Sequence, residues 1–192
     1  MPFSAVLDAC VLYPNALRDT LLRVAEAGVY QPLWSERILT EVQEALVRNG
    51  LSAQKVERTL SFARAAFPEA MVEGWEPLED SMGNHVKDRH VLAAAVRGHA
   101  DVIVTFNLRD FTPAACEPWD VQAQHPDTFL LYELEAAPGV ILNVLTEQAA
   151  ATGRPPHRPM TLEEVIGSLE TCGVPVFVSE VRSWLRRQKR LG

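Results

Sequence analysis

Two short, largely apolar runs, residues 3–7 and 101–105, constrain this chain more than any other feature. Each ends on a polar group and each is set off from the next by amphipathic helical stretches. A buried strand of this length cannot cover its own faces, so strands alternating with helices call for a parallel sheet packed between helices. The intervening signals agree. Pro14 suits a helix start, and apolar residues then recur at helical spacing until Gly28. Residues 30–34 read as a second strand despite Pro32. Ser35 is an N-cap for a helix over 36–47 that stops at Asn49-Gly50, and Ser52 caps another that runs to about 67. Residues 70–72 read as a strand and 73–85 as a loop. A helix over 88–99 follows, and 121–124 is one last strand. From 126 onward the pattern is helical, over 126–134, 138–151, 161–171 and 175–190. Thr161-Leu-Glu-Glu164 matches a capping box, and the three prolines within 153–159 mark a linker. The expectation is an α/β domain over 1–125, a parallel sheet flanked by helices, with a helical C-terminal extension over 126–192.

Composition narrows the function classes. The chain has 192 residues, 47% apolar and 22% charged, which suits one globular domain with an appendage and excludes disordered and collagen-like chains. The longest near-apolar runs, 140–145 and 174–178, fall far short of the roughly 18 residues that a membrane span needs. The first eight residues lack a basic region and meet Asp8, unlike a signal peptide. Cys10, Cys116 and Cys172 lie too far apart in sequence for a zinc motif or a disulfide set. A cytoplasmic protein with reduced thiols and no membrane association is expected. The formal net charge is −7, which argues against indiscriminate DNA binding. Residues 1–125 carry 11 basic and 17 acidic side chains, whereas 126–192 carry 7 and 8. If the first part handles a polyanion, metal must neutralise some of its acids.

Four carboxylates occupy comparable topological positions. Asp8 ends the first strand, where an α/β sheet binds its ligands, although a turn or capping role is equally open. Glu41 lies on the Ser35-capped helix about 40° outside the apolar arc, at the boundary, whereas Glu44 lies about 100° outside it and faces solvent. Asp88 projects with Val91, Leu92 and Ala95 on the buried face of its helix, where a charge needs a metal, a partner or a capping role. Asn107 stands just past the strand 101–105, with Asp110 in the following turn. Asp101 reads as a turn residue before that strand. Clustered oxygen donors without a cysteine or histidine set favour Mg²⁺ or Mn²⁺ over zinc, and their repulsion is tolerable with a cation between them.

With these motifs in place, the chain resembles the PIN-domain nucleases, in particular the toxin-like bacterial proteins of the VapC kind. The matching stretches are Val6-Leu-Asp8-Ala-Cys-Val-Leu12, Trp34-Ser-Glu-Arg-Ile-Leu-Thr-Glu41, Lys87-Asp88-Arg-His-Val-Leu-Ala-Ala-Ala95 and Ala100-Asp-Val-Ile-Val-Thr-Phe-Asn-Leu-Arg-Asp110, over roughly residues 3–112. The resemblance puts the family's first three acids on Asp8, Glu41 and Asp88. Its fourth falls on Asn107, with Asp110 one turn later as the replacement. Cys10 stands where the family often has Asn. The implied activity is metal-dependent endonucleolytic cleavage of RNA to 5′-phosphate and 3′-hydroxyl ends. Two ions about 3.5–4 Å apart can activate water and stabilise the leaving oxygen, so no nucleophilic side chain is required.

Substrate grip needs cations. Arg18, Arg89, Arg109 and His90 are candidate phosphate contacts, with ordinary surface or ion-pair roles as the alternative. Arg182, Arg186, Arg187, Lys189 and Arg190 form a basic helix end that complements the helix dipole or contacts RNA. The 126–192 helices could complete the core, form a homodimer seam or dock an antitoxin protein. Two other functions compete: a non-catalytic PIN-like module that binds RNA or protein, and a phosphatase that uses Asp8 as nucleophile. The latter lacks the usual Asp-x-Asp, since residue 10 is Cys.

Overall fold

A computed structural model describes residues 3–153 and 158–191. In chain order its elements are β1 (Ser4–Leu7), α1 (Ala9–Leu12), α2 (Asn15–Glu26), β2 (Gln31–Leu33), α3 (Glu36–Arg48), α4 (Ala53–Ala66), α5 (Arg89–Arg97), β3 (Val102–Val104), α6 (Pro113–Cys116), β4 (Gln122–Gln124), α7 (Pro126–Ala136), α8 (Pro138–Ala151), α9 (Leu162–Thr171) and α10 (Pro175–Leu191). They form two compact units, one built from the residues up to Tyr13 with Tyr30–His125, the other from Pro14–Val29 with the residues from Pro126 onward.

The first unit holds a four-stranded sheet of order β2-β1-β3-β4, parallel throughout, as the sequence predicts. All four residues of β1 are buried, and Val6 lies between Leu33 and Ile103 in register. Strand order reverses between β1 and β3, so the crevice at their carboxyl ends is the place where such sheets bind ligands. Pro32 is tolerated because β2 is an edge strand. Ser35 and Ser52 cap α3 and α4 by accepting from the amides of Ile38 (3.3 Å) and Lys55 (3.4 Å). Residues 70–72 do not form the expected strand. Pro68–Ala70 is a 3₁₀ turn, and the only sheet-like pairing there is a single bridge between Trp34 and Met71. A second 3₁₀ turn, Glu76–Ser81, interrupts the expected loop. Asp101 is structural: its Oδ2 accepts from the Ser4 amide at 2.8 Å and the Ser4 hydroxyl at 3.0 Å, at the amino end of β1.

The second unit is helical. The compact units divide the chain differently from a single cut at 125/126, because α2 packs against α8 and α9. Its stripe of Leu17, Leu21 and Val24 is buried, and Thr20 donates to Gln148 Oε1 at 2.7 Å while Gln148 donates to the Ala16 carbonyl at 3.0 Å. Asp127, buried on α7, accepts from the amides of Val176 (3.0 Å) and Phe177 (2.7 Å) and so caps the start of α10. The capping box of Thr161 and Glu164 is formed. At the basic helix end, Arg182 pairs with Glu163 and Glu170, and Arg187 pairs with Glu180. The Lys189 side chain and residues 154–157 of the proline linker lie outside the described residues. Among the described residues, no single helix is long and apolar enough to cross a membrane.

Glu133 on α7 is buried, and burial pushes its carboxyl up to about 7. An unfolded glutamate titrates near about 4.3. Between those values the folded chain keeps a proton that the unfolded chain has lost, so stability falls as pH rises through the window and levels off above it. Replacing Glu133 by Gln should flatten this slope and raise the melting temperature at pH 8 by a few degrees, as followed by circular dichroism at pH 5 and pH 8.

Candidate active site

Asp8 follows β1 directly, and its amide donates to the Val104 carbonyl at 3.2 Å, continuing the sheet pairing by one residue. The side chain is buried and one oxygen, Oδ2, is held from two sides. The Thr105 hydroxyl donates to it at 2.6 Å and the Cys10 thiol at 3.1 Å. Each of these donors is itself oriented by the backbone after β3. Asn107 N–H donates to Thr105 Oγ1 at 3.0 Å, and Phe106 N–H to Cys10 Sγ at 3.3 Å. Burial, followed by the Asp8 charge, pushes the Cys10 thiol up to about 12, so it stays protonated and able to donate. A thiol thus supplies a donor where the family often has Asn. No described contact occupies Oδ1 of Asp8.

Asp88 closes the short 3₁₀ turn Val86–Asp88 and stands at the N-cap of α5 without making a capping bond. The capping alternative is therefore excluded, and the carboxylate is available to a ligand. Its pKa is raised first by burial, then by the charges of Asp8 and Asp110, while His85 and His90 pull the other way. The three aspartates therefore share one electrostatic neighbourhood. Asp110 reaches it because Leu108–Asp110 is a 3₁₀ turn that brings the chain back toward Asp88. Asn107 bridges the two, donating from Nδ2 to Asp88 Oδ2 at 3.4 Å and to Asp110 Oδ2. The amide thus points its donors, not its carbonyl, at the acids. The ligand atoms of His85, Asp88 and Asp110 all lie within 4.8 Å of one another.

Glu41 is half-buried on α3 and Glu44 exposed, as the helical wheel predicts. Glu41 is tied not to the aspartates directly but to His90, whose Nε2 lies 2.9 Å from Glu41 Oε1. His90 is fully buried beside the Trp75 ring, at 6.0 Å between centroids, and cannot reach a phosphate as the sequence reading had it. The arginines separate as well. Arg109 is exposed next to Asp110, and Arg89 is half-buried with its Nε donating to the Asn84 carbonyl at 3.4 Å. Arg18 is buried in the second unit, where it donates to Asn15 Oδ1 at 2.7 Å and burial lowers its pKa. Sequence reasoning missed His85, Thr105 and Cys10 as members of the site. The available signals were the position of His85 three residues before Asp88 and of Thr105 two before Asn107.

The donor set suits a hard divalent cation: clustered carboxylates, with the charges of Asp8 and Asp110 adding to burial in raising the Asp88 pKa, and one oxygen of Asp8 left uncommitted. Residues 4–109 match the family model described as PIN domain. The chain belongs to the PIN-domain family. Residues 126–183 match a second model, VapC50 C-terminal domain. The PIN chain is also 41% identical over 113 residues to the Mycobacterium tuberculosis protein named "Putative ribonuclease VapC50". That match covers 59% of this chain and 64% of the relative, so it spans less than two thirds of the relative's length. No solved structure matches the chain significantly.

Thr105→Val should leave Asp8 Oδ2 with the thiol as its one described side-chain donor. Loss of such an outer-shell donor typically costs about 10–100-fold in metal affinity. Calorimetric titration with Mn²⁺ should show a drop of that size with the fold retained.

Proposed function

We propose that this PIN protein is an endoribonuclease dependent on Mg²⁺ or Mn²⁺, the toxin of a toxin–antitoxin pair, acting in the cytoplasm. The observation that carries the reading is the convergence of Asp8, Asp88 and Asp110 at the carboxyl ends of β1 and β3. The charges of Asp8 and Asp110 add to burial in raising the Asp88 pKa, a load that a cation would relieve. Asp8, Glu41, Asp88 and Asp110 are the proposed metal ligands, Glu41 lying 2.9 Å from His90 Nε2. Asn107 is the hydrogen-bond bridge and not a ligand. When bound, divalent ions supply a water acidic enough to attack phosphorus and positive charge at the leaving 3′-oxygen.

The chain's own residues then have distinct tasks. Thr105 and Cys10 hold Asp8 through one oxygen and leave the other uncommitted. Asp88, whose pKa is raised first by burial and then by the Asp8 and Asp110 charges, would be one of the carboxylates that hold the cation. Arg109, exposed beside Asp110, is placed to meet a backbone phosphate and draw the RNA strand to the acids, with Arg89 a second candidate. The products are a 5′-phosphate and a 3′-hydroxyl. We assign the chemistry to the 1–125 domain and antitoxin docking or homodimer formation to the 126–192 extension. The relative's printed name supports ribonuclease activity, and the match to a VapC50 C-terminal domain supports a toxin's architecture. The alternative of a non-catalytic binding module rested on Asn107 at an acid position. Asp110 beside Asp88 removes its main support.

Purified protein should cut single-stranded RNA with Mn²⁺, leaving ends that a 5′-phosphate-dependent exonuclease accepts. Asp8→Asn should lower the rate by at least about 100-fold while circular dichroism stays unchanged. Undiminished cutting in excess chelator would refute the metal-dependent mechanism.

A further inference from the structure

We propose that His85 is a metal ligand, so that this centre holds its cation through an imidazole nitrogen as well as carboxylates. The inference rests on the metal-dependent reading above and adds to it a donor of a different chemical class. Three observations carry it. First, the ligand atoms of His85, Asp88 and Asp110 lie within 4.8 Å of one another. An ion with bonds of about 2.1 Å sets its ligand atoms about 3 Å apart when adjacent and about 4.2 Å apart when opposite, so small side-chain adjustments suffice. Second, His85 Nδ1 lies 3.9 Å from Asp88 Oδ2 and so faces the carboxylate at the heart of the site. Third, Nδ1 presents a lone pair in this region. It accepts from the Lys87 amide at 3.4 Å, a long bond that an ion can displace. The imidazole is exposed, and the 3₁₀ turn Val86–Asp88 between His85 and Asp88 fixes their separation.

The chemical consequence is selectivity. An all-oxygen site suits Mg²⁺, which gives up water reluctantly and takes nitrogen ligands poorly. An imidazole moves the preference toward transition metals, Mn²⁺ among those of catalytic use and Co²⁺ more strongly still. The same turn that positions Asp88 therefore sets which divalent ion this protein favours. His90 does not compete for the role, because it is fully buried and faces Glu41.

The test is pulsed electron paramagnetic resonance of the full chain loaded with Mn²⁺, alongside calorimetry with Mn²⁺ and Mg²⁺. Wild-type protein should show nitrogen modulation of the Mn²⁺ signal. His85→Ala should keep a bound ion, lose the modulation, and bind Mn²⁺ about tenfold more weakly, with Mg²⁺ affinity changed less than about twofold. His85→Asp should also lack the modulation but recover affinity for both ions. A wild-type protein that binds Mn²⁺ without nitrogen modulation overturns the role of His85 and leaves the nuclease reading standing. Modulation that survives in His85→Ala does the same by placing the nitrogen elsewhere. No Mn²⁺ binding by the wild type at millimolar concentration overturns both.

Discussion

Everything in the site depends on a buried carboxylate held at the end of a strand. Asp8 sits beside β3 because its amide extends the β1–β3 pairing to the Val104 carbonyl. The polar cost of burying its side chain is offset by two donors on one oxygen. Those donors come from two elements, Cys10 from α1 and Thr105 from just past the end of β3. The sheet register and the site geometry are therefore one constraint. Shifting β3 by a single residue would turn Thr105 to the opposite face and leave Asp8 without its shortest bond.

The elements that sequence alone revealed are those governed by local rules. β1 and β3 are apolar runs with one buried solution, and the Ser35, Ser52 and Thr161 caps follow from hydroxyls placed one residue before helical periodicity. The half-buried position of Glu41 follows from angle counting on α3. What sequence could not show is governed by tertiary placement. His90 occupies a helical position as plausible for a surface contact as for the core, and only the packing of Trp75 and Glu41 around it decides the matter. Arg18 lies only ten residues from Asp8 in sequence, yet its helix packs with α8 and α9. The absence of a strand at 70–72 has a local cause. Pro68 begins a turn, and a single bridge to Trp34 is all that remains of the pairing.

The acidic balance of residues 1–125 acquires a definite location in the fold. Many of those carboxylates are ordinary surface groups with partners, such as Glu36 with Arg64 and Glu79 with Arg37. Asp88 differs because the basic side chains that act on it are histidines, His85 and His90. An arginine lodged there would neutralise the acids permanently and compete with a metal. A histidine can lose its proton and become a ligand or a neutral neighbour, which leaves the negative potential available to a divalent ion.

Asn107, at the position where the resemblance puts a fourth acid, is followed by a turn that brings Asp110 to Asp88. An aspartate at position 107 would stand with Asp88 as one more charge to be offset. The amide instead donates to both Asp88 and Asp110, and the 3₁₀ turn of residues 108–110 returns a carboxylate to the same place. The gain is a neutral bridge that spaces two like charges before any cation arrives. A carboxylate three residues beyond Asn107 is thus brought beside Asp88 by the turn, a closeness that spacing along the sequence alone does not show.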